Sequence, residues 1–263
     1  MKIWVVVNVT PDSFYAGSRF NHSNVLQEIT NYVELNVDKI DIGAESSRPG
    51  AKEVSIDEEW ERLYPVLQEI KKTFGLEFLR DKISIDSRKE QNIEKCLDFG
   101  VGTINDISGG SEKIYSMISS YEATYVLMHM SGLPENMQNK PSYEDVSFEV
   151  ESWLLKKTKQ IRSSGVKREK ILWDPGIGFG KTLDHNLALI KNVETFKSHG
   201  HELLYGISRK SMFKDLLGLN DPDDRMLPSI IGQVILSMKG VENLRVHDAR
   251  EMIQARAILE RFL

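Results

Sequence analysis

Cysteine is nearly absent: Cys96 is the only one in 263 residues. No intrachain disulfide can form, and thiolates cannot assemble a zinc or iron–sulfur site. Long apolar runs are also missing. The opening MKIWVVVNVT meets Asn8 and Pro11 at once, too short a run for a membrane span, and no secretion signal is visible. Neither sign of charge prevails, since 34 basic against 39 acidic residues leave a formal charge of -5. That balance argues against a nucleic-acid surface or a membrane-bound face and makes any anion site a local one. With no low-complexity linker dividing the chain, these absences lead us to expect one domain over residues 1–263, in a cytoplasmic protein.

What is present is a repeat of short apolar runs rich in Val and Ile, alternating with longer stretches of helical period. Eight runs are expected as strands, at 3–7, 39–42, 83–85, 102–104, 124–128, 171–173, 203–206 and 244–246. Their continuous apolar character fits parallel strands covered on both faces, and the length matches one eight-stranded βα barrel. Ser55 and Glu58 have the spacing of a capping box before the face Trp60, Leu63, Leu67, Ile70 and Phe74. Leu183, Leu187, Ile190 and Val193 repeat that spacing ahead of Gly200. Further helices are expected over 144–162 and 249–262, the latter capped by Asp248. Cys96, within the helical run IEKCLDF, reads as an inert buried thiol.

Polar residues gather where the strands end. Asp86, Asn105 and Asp174 close the runs ISID, TIND and ILWD and are each followed by turn-forming residues, the place where a parallel barrel builds its active site. Two carboxylates and an amide there suit a planar, donor-rich ligand. Asn8, Thr10, Pro11, Asp12, Ser13 and Phe14 follow the first strand; their hard oxygens suit Mg2+ shared with substrate phosphates, and an Asx turn would explain them equally well. DIGAESSRPGA sets Ser46, Ser47 and Arg48 before Pro49 and Gly50, a hydroxyl-and-fork arrangement suited to phosphate or carboxylate. DPGIGFGK suggests a phosphate cradle, but its glycine spacing is not that of a Walker motif. Its glycines read instead as allowing tight turns and close approach, with Phe179 projecting over the site. GISRKS brings Ser208, Arg209, Lys210 and Ser211 to a helix start that could bind a carboxylate, and LRVHD brings Arg245 and His247 to one side of the last strand end. His129 lacks a partner at metal-ligand spacing and reads as a satisfied histidine near the barrel mouth.

Taken together, NVTPDSF, DIGAESSRPGA, SIDS, INDISGG, LMHMSGLPENMQ, DPGIGFGK, ISRKS and RVHD resemble the dihydropteroate synthases in type and order, over essentially the whole chain. The resemblance implies an α/β fold, a TIM (β/α)8 barrel, in which p-aminobenzoate displaces pyrophosphate from 6-hydroxymethyl-7,8-dihydropterin pyrophosphate. It implies Asp86, Asp174 and Lys210 as catalytic residues, and Ser47, Asp86, Asn105, Asp174, Lys210, Arg245 and His247 as the pterin and pyrophosphate site. Phe14, Ser47, Arg48, Pro49, Phe179, Lys210 and Ser211 would form the p-aminobenzoate site, with Asn8 on Mg2+ and a homodimer through outer helices. Departures from the family pattern are Ala16 for an acidic residue, Ala44 for glycine, and Ser47 and Ser87 for threonines. Two rivals share parts of this pattern: a pterin-dependent methyltransferase, which needs no paired anion loops, and a non-catalytic pterin-binding paralogue, which would lose groups such as Arg48, Lys210 and His247. A barrel aldolase would use Lys210 as a Schiff base.

Overall fold

A computed structural model describes residues 1–9, 22–46, 50–51 and 53–262. Among them, eight strands appear: β1 (Lys2–Asn8), β2 (Lys39–Gly43), β3 (Ile83–Asp86), β4 (Thr103–Asp106), β5 (Thr124–Met128), β6 (Ile171–Asp174), β7 (Leu204–Tyr205) and β8 (Asn243–Val246). They form one parallel sheet in the order β6-β5-β4-β3-β2-β1-β8-β7. A bridge between Trp173 and Leu203 joins the two ends of that order, so the sheet is a nearly closed TIM barrel. The run at 203–206 yields only two strand residues because β7 lies at this seam, with a full ladder on its β8 side alone.

Helices α1 (His22–Glu34), α2 (Ile56–Lys82), α3 (Glu90–Phe99), α4 (Glu112–Ser120) and α5 (Val146–Ser163) connect the first six strands. α6 (Leu183–Lys191), α7 (Val193–Lys197), α8 (Met212–Leu217), α9 (Met226–Met238) and α10 (Ala249–Phe262) complete the outer layer. Leu63, Leu67 and Ile70 of α2 are fully buried, with Trp60 and Phe74 packed beside them. The helix bends at Gly75, whose φ of 88° is not helical. Two expected caps are only partly realised. The Ser55 hydroxyl accepts from Glu58 N–H at 3.1 Å, but the Glu58 carboxylate pairs with Arg62. Asp248 directs its carboxylate at Arg209, accepting from Nε and Nη2 at 3.1 and 2.6 Å. In both cases a full charge outcompetes a backbone N–H for the carboxylate.

The two-residue period of the strands decides what faces the site. Ile40, Ile42, Ile83, Ile85, Ile104, Tyr125, Leu127, Trp173, Leu244 and Val246 belong to the main core under the helices. Trp4, Val126, Leu172 and Leu204 form a small separate cluster inside the barrel. One pleat further toward the carboxyl ends, the same inward phase becomes polar: Asn8, Asp41, Asp86, Asn105, Asp174 and Arg245.

Candidate active site

Strand register brings the polar ends together. Asn8 pairs with Gly43, Gly43 with Asp86, and Asp86 with Asn105, while Asp174 sits across from Met128. Arg245 reaches in from β8. Its Nε lies 3.0 Å from Asp41 Oδ2 and its Nη1 lies 3.3 Å from Asp174 Oδ2. Asn105 Nδ2 donates to the same Asp41 oxygen at 3.1 Å. Asp41, Asn105 and Asp174 are buried, and the Arg245 side chain is 14% exposed. One guanidinium therefore faces two buried carboxylates, and Asp86 is close enough to feel the set. Burial, then the Asp41 charge, raises the Asp86 carboxyl well above the usual range, against the pull of Arg245. Burial lowers the Arg245 guanidinium, but Asp41, Asp174 and Asp86 outweigh it and raise the group overall.

Several atoms here have no hydrogen-bond partner: Asp41 Oδ1, Asn105 Oδ1 and Arg245 Nη2, while Arg245 Nε meets Asp41 as an ion pair without hydrogen-bond geometry. Buried polar atoms of this kind are costly unless water or a ligand satisfies them. Asp41 is the residue that motif reading missed. Its signal was present as an acid flanked by Ile40 and Ile42 in KIDIG, two residues before the strand end and in the same inward phase as Gly43.

The loop after β6 forms one wall. Asp174 Oδ1 accepts from Gly176 N–H at 2.8 Å, fixing the turn from its first residue. Gly176 has φ 70°, and a Cβ there would stand 1.9 Å from the His129 carbonyl oxygen; at Gly180, φ 63°, it would stand 2.4 Å from that of Ser131. The glycines thus allow close approach to the loop after β5, as the sequence suggested. Phe179 is half-buried, and Lys210 Nζ stands 4.4 Å from its ring centroid while donating to the Ile177 carbonyl. Burial lowers the Lys210 ammonium to about 8, with Asp174 opposing the shift and Arg245 adding to it.

GISRKS divides between two directions. Lys210 turns to the site, whereas Arg209, at φ 55°, is held by Asp248 and Asp223. Arg209 is therefore committed to a carboxylate pair and does not join the anion site. The exposed His247 lies by the same turn, its Nδ1 3.0 Å from Ser208 Oγ. Ser211 is exposed at the start of α8, next to Lys210. Lys181 is buried and faces carbonyl oxygens, so it is not placed as a phosphate ligand. Phe14, Ser47, Arg48 and Pro49, with Thr10, Pro11, Asp12, Ser13 and Ala16, lie outside the described residues.

Asn8 supplies a hard oxygen at the end of β1. A Cβ at neighbouring Gly43 would stand 3.9 Å from Asn8 Oδ1, an ordinary contact, so Gly43 and Asn8 lie side by side at the strand ends. Among the described residues no group of three His, Cys, Asp or Glu side chains could hold a metal. One amide oxygen suits an ion that retains water and is shared with phosphates, which is the habit of Mg2+.

The family model described as pterin binding enzyme matches residues 5–247. The chain is 36% identical to dihydropteroate synthase of Escherichia coli strain K12, over 97% of this chain and 89% of that protein. It is similar to the structure of Yersinia pestis dihydropteroate synthase in complex with a sulfonamide drug, at TM-score 0.90 and 35% identity, with 99% and 93% of the two chains covered. The Xanthomonas albilineans dihydropteroate synthase with 4-aminobenzoic acid also superposes at TM-score 0.90, at 29% identity, with 99% and 92% covered.

Proposed function

The chain belongs to the pterin-binding enzymes as a dihydropteroate synthase, and from that membership we propose how its residues condense 6-hydroxymethyl-7,8-dihydropterin pyrophosphate with p-aminobenzoate. The observation that carries the reading is the polar set at the strand ends, in which Arg245 lies between Asp41 and Asp174 beside Asn105, with acceptor and donor atoms still unmatched.

Asp174 and Asn105 read the hydrogen-bonding edge of the pterin. A carboxylate accepts from two adjacent N–H groups, and an amide both donates and accepts. Arg245 stacks on the ring, and Asp86 and Lys210 complete the contacts. Displacement is largely dissociative: the methylene C–O bond breaks with its electron pair leaving on pyrophosphate, and Asp86 and Asp174 stabilise the positive charge spread over the pterin. The amine nitrogen then supplies the pair for the new C–N bond and releases a proton. Ser47, Arg245 and His247 hold the pyrophosphate region. Asn8 would help hold Mg2+, which when bound would supply charge neutralisation for pyrophosphate. Phe14, Ser47, Arg48, Pro49, Phe179, Lys210 and Ser211 form the p-aminobenzoate site. Lys210, cationic and lying on the Phe179 ring, serves both substrates.

The whole chain, 1–263, acts as one pterin-binding barrel domain in the cytoplasm. No described helix is long and apolar enough to cross a membrane. A homodimer is supported by α9, which exposes Leu227, Ile231, Ile235 and Met238 at helical spacing, near 63%, 51%, 46% and 62% accessible, with Leu216 and Leu217 exposed on α8. Incubating purified protein with dihydropterin pyrophosphate, p-aminobenzoate and Mg2+ tests the activity. Equal amounts of dihydropteroate and pyrophosphate are expected; folded, pterin-binding protein that gives no amine-dependent product would sink the reading.

A further inference from the structure

Lys181 is 3% exposed, and its ammonium donates to the carbonyl oxygens of Gly176 at 2.9 Å, Phe179 at 3.0 Å and His129 at 3.3 Å, with His129 Nδ1 at 3.0 Å. Among the described residues no carboxylate forms an ion pair with it; Asp174 acts through its field alone. Burying a cation against neutral acceptors costs stability and persists only where its hydrogen bonds are well placed. The rest of the segment is held as closely. The Ile177 carbonyl accepts from Lys210, that of Gly178 from Gln138 Nε2 at 2.6 Å, and that of Gly180 from the Tyr143 hydroxyl at 3.0 Å. Residues 176–180 are thus wrapped around Lys181 and clasped to the loop after β5, and Phe179 and Lys210 stand on that clasp.

We propose that Lys181 is a positioning residue for the amine substrate: by closing residues 176–179 onto the loop after β5, it fixes Phe179 and Lys210 where the aminobenzoate ring docks. This rests on the p-aminobenzoate site proposed above. The neighbouring imidazole favours the arrangement, while burial works against the charge. His129 is pushed down to about 3 by burial and by Lys181, so its ring stays neutral and Nδ1 can accept. Burial also lowers Lys181 itself to about 7, with Asp174 opposing and Lys210 adding to the shift.

Lys181→Met removes the donors at similar length. Deuterium exchange of the amides of 176–180 should speed up by roughly tenfold, since a local clasp opens without global unfolding. The KM for p-aminobenzoate should rise by roughly tenfold, while that for dihydropterin pyrophosphate moves by less than about threefold. Lys181→Gln, which keeps two N–H donors without the charge, should recover part of the protection and serves where the methionine variant fails to fold. Unchanged exchange, or equal rises in both KM values, would overturn the proposal. Phe179→Ala separates the two readings. If it leaves the amine KM unchanged, the aminobenzoate site is misassigned; if it raises that KM and Lys181→Met does not, the positioning role is wrong.

Discussion

Replacing Asp174 with asparagine probes the pterin grip with the least change of shape. The amide oxygen can still accept from Gly176 N–H, a contact of 2.8 Å, so the loop after β6 keeps its first anchor. Arg245 loses its partner at 3.3 Å but keeps Asp41 at 3.0 Å. What disappears is a charged acceptor for two adjacent N–H groups. A hydrogen bond to a charged group contributes about 1.5–3 kcal/mol, and a buried donor facing another donor costs about 1–3 kcal/mol. One neutral bond survives, so the net loss is about 3–4 kcal/mol, or roughly 10²- to 10³-fold in affinity. Calorimetric titration with a pterin lacking the pyrophosphate, and separately with Mg2+ and pyrophosphate, checks this. The pterin fragment should weaken by that factor, and pyrophosphate by less than about threefold. Equal losses, or unaltered pterin binding, would refute the argument that Asp174 reads the ring.

The buried lysines give stability a distinctive pH dependence. Lys181 falls from its ordinary 10.5 to about 7 in the folded protein, so between those values the unfolded chain binds a proton that the folded one does not, and stability rises with pH. From pH 7 to 9.5, wild type should gain about 3 kcal/mol relative to Lys181→Met, measured by urea unfolding at both values; parallel behaviour would mean that Lys181 titrates normally. Ile231→Glu on the exposed face of α9 should shift mass in solution from dimer to monomer by light scattering, with the melt kept cooperative; unchanged mass would move the interface elsewhere. Cys96 is fully buried, and burial pushes its thiol far up, so iodoacetamide should label it only after denaturation.

The barrel was legible because eight Val- and Ile-rich runs alternate with stretches of helical period, and the two-residue period then places Asp86, Asn105 and Asp174, each at a strand end, in one inward phase. The same period pointed to Asp41, but an acid inside a strand draws attention only once its partner is known, and Arg245 comes from the far end of the chain. Adjacent cations could not be told apart by sequence: Arg209 and Lys210 diverge because the left-handed turn at Arg209 meets Asp248 and Asp223. Caps at Glu58 and Asp248 were overread for a related reason, as local spacing says nothing of a competing arginine. For Lys181 the glycine spacing excludes a Walker-type cradle but assigns no other role, and only the three-dimensional path shows its ammonium turned toward carbonyls.

A crystal structure with 7,8-dihydropteroate bound tests the central claim most directly. The account requires the pterin edge on Asp174 and Asn105, Arg245 against the ring, and the aminobenzoate beside Phe179 and Lys210. A pterin seated away from Asp174 and Asn105 would contradict it.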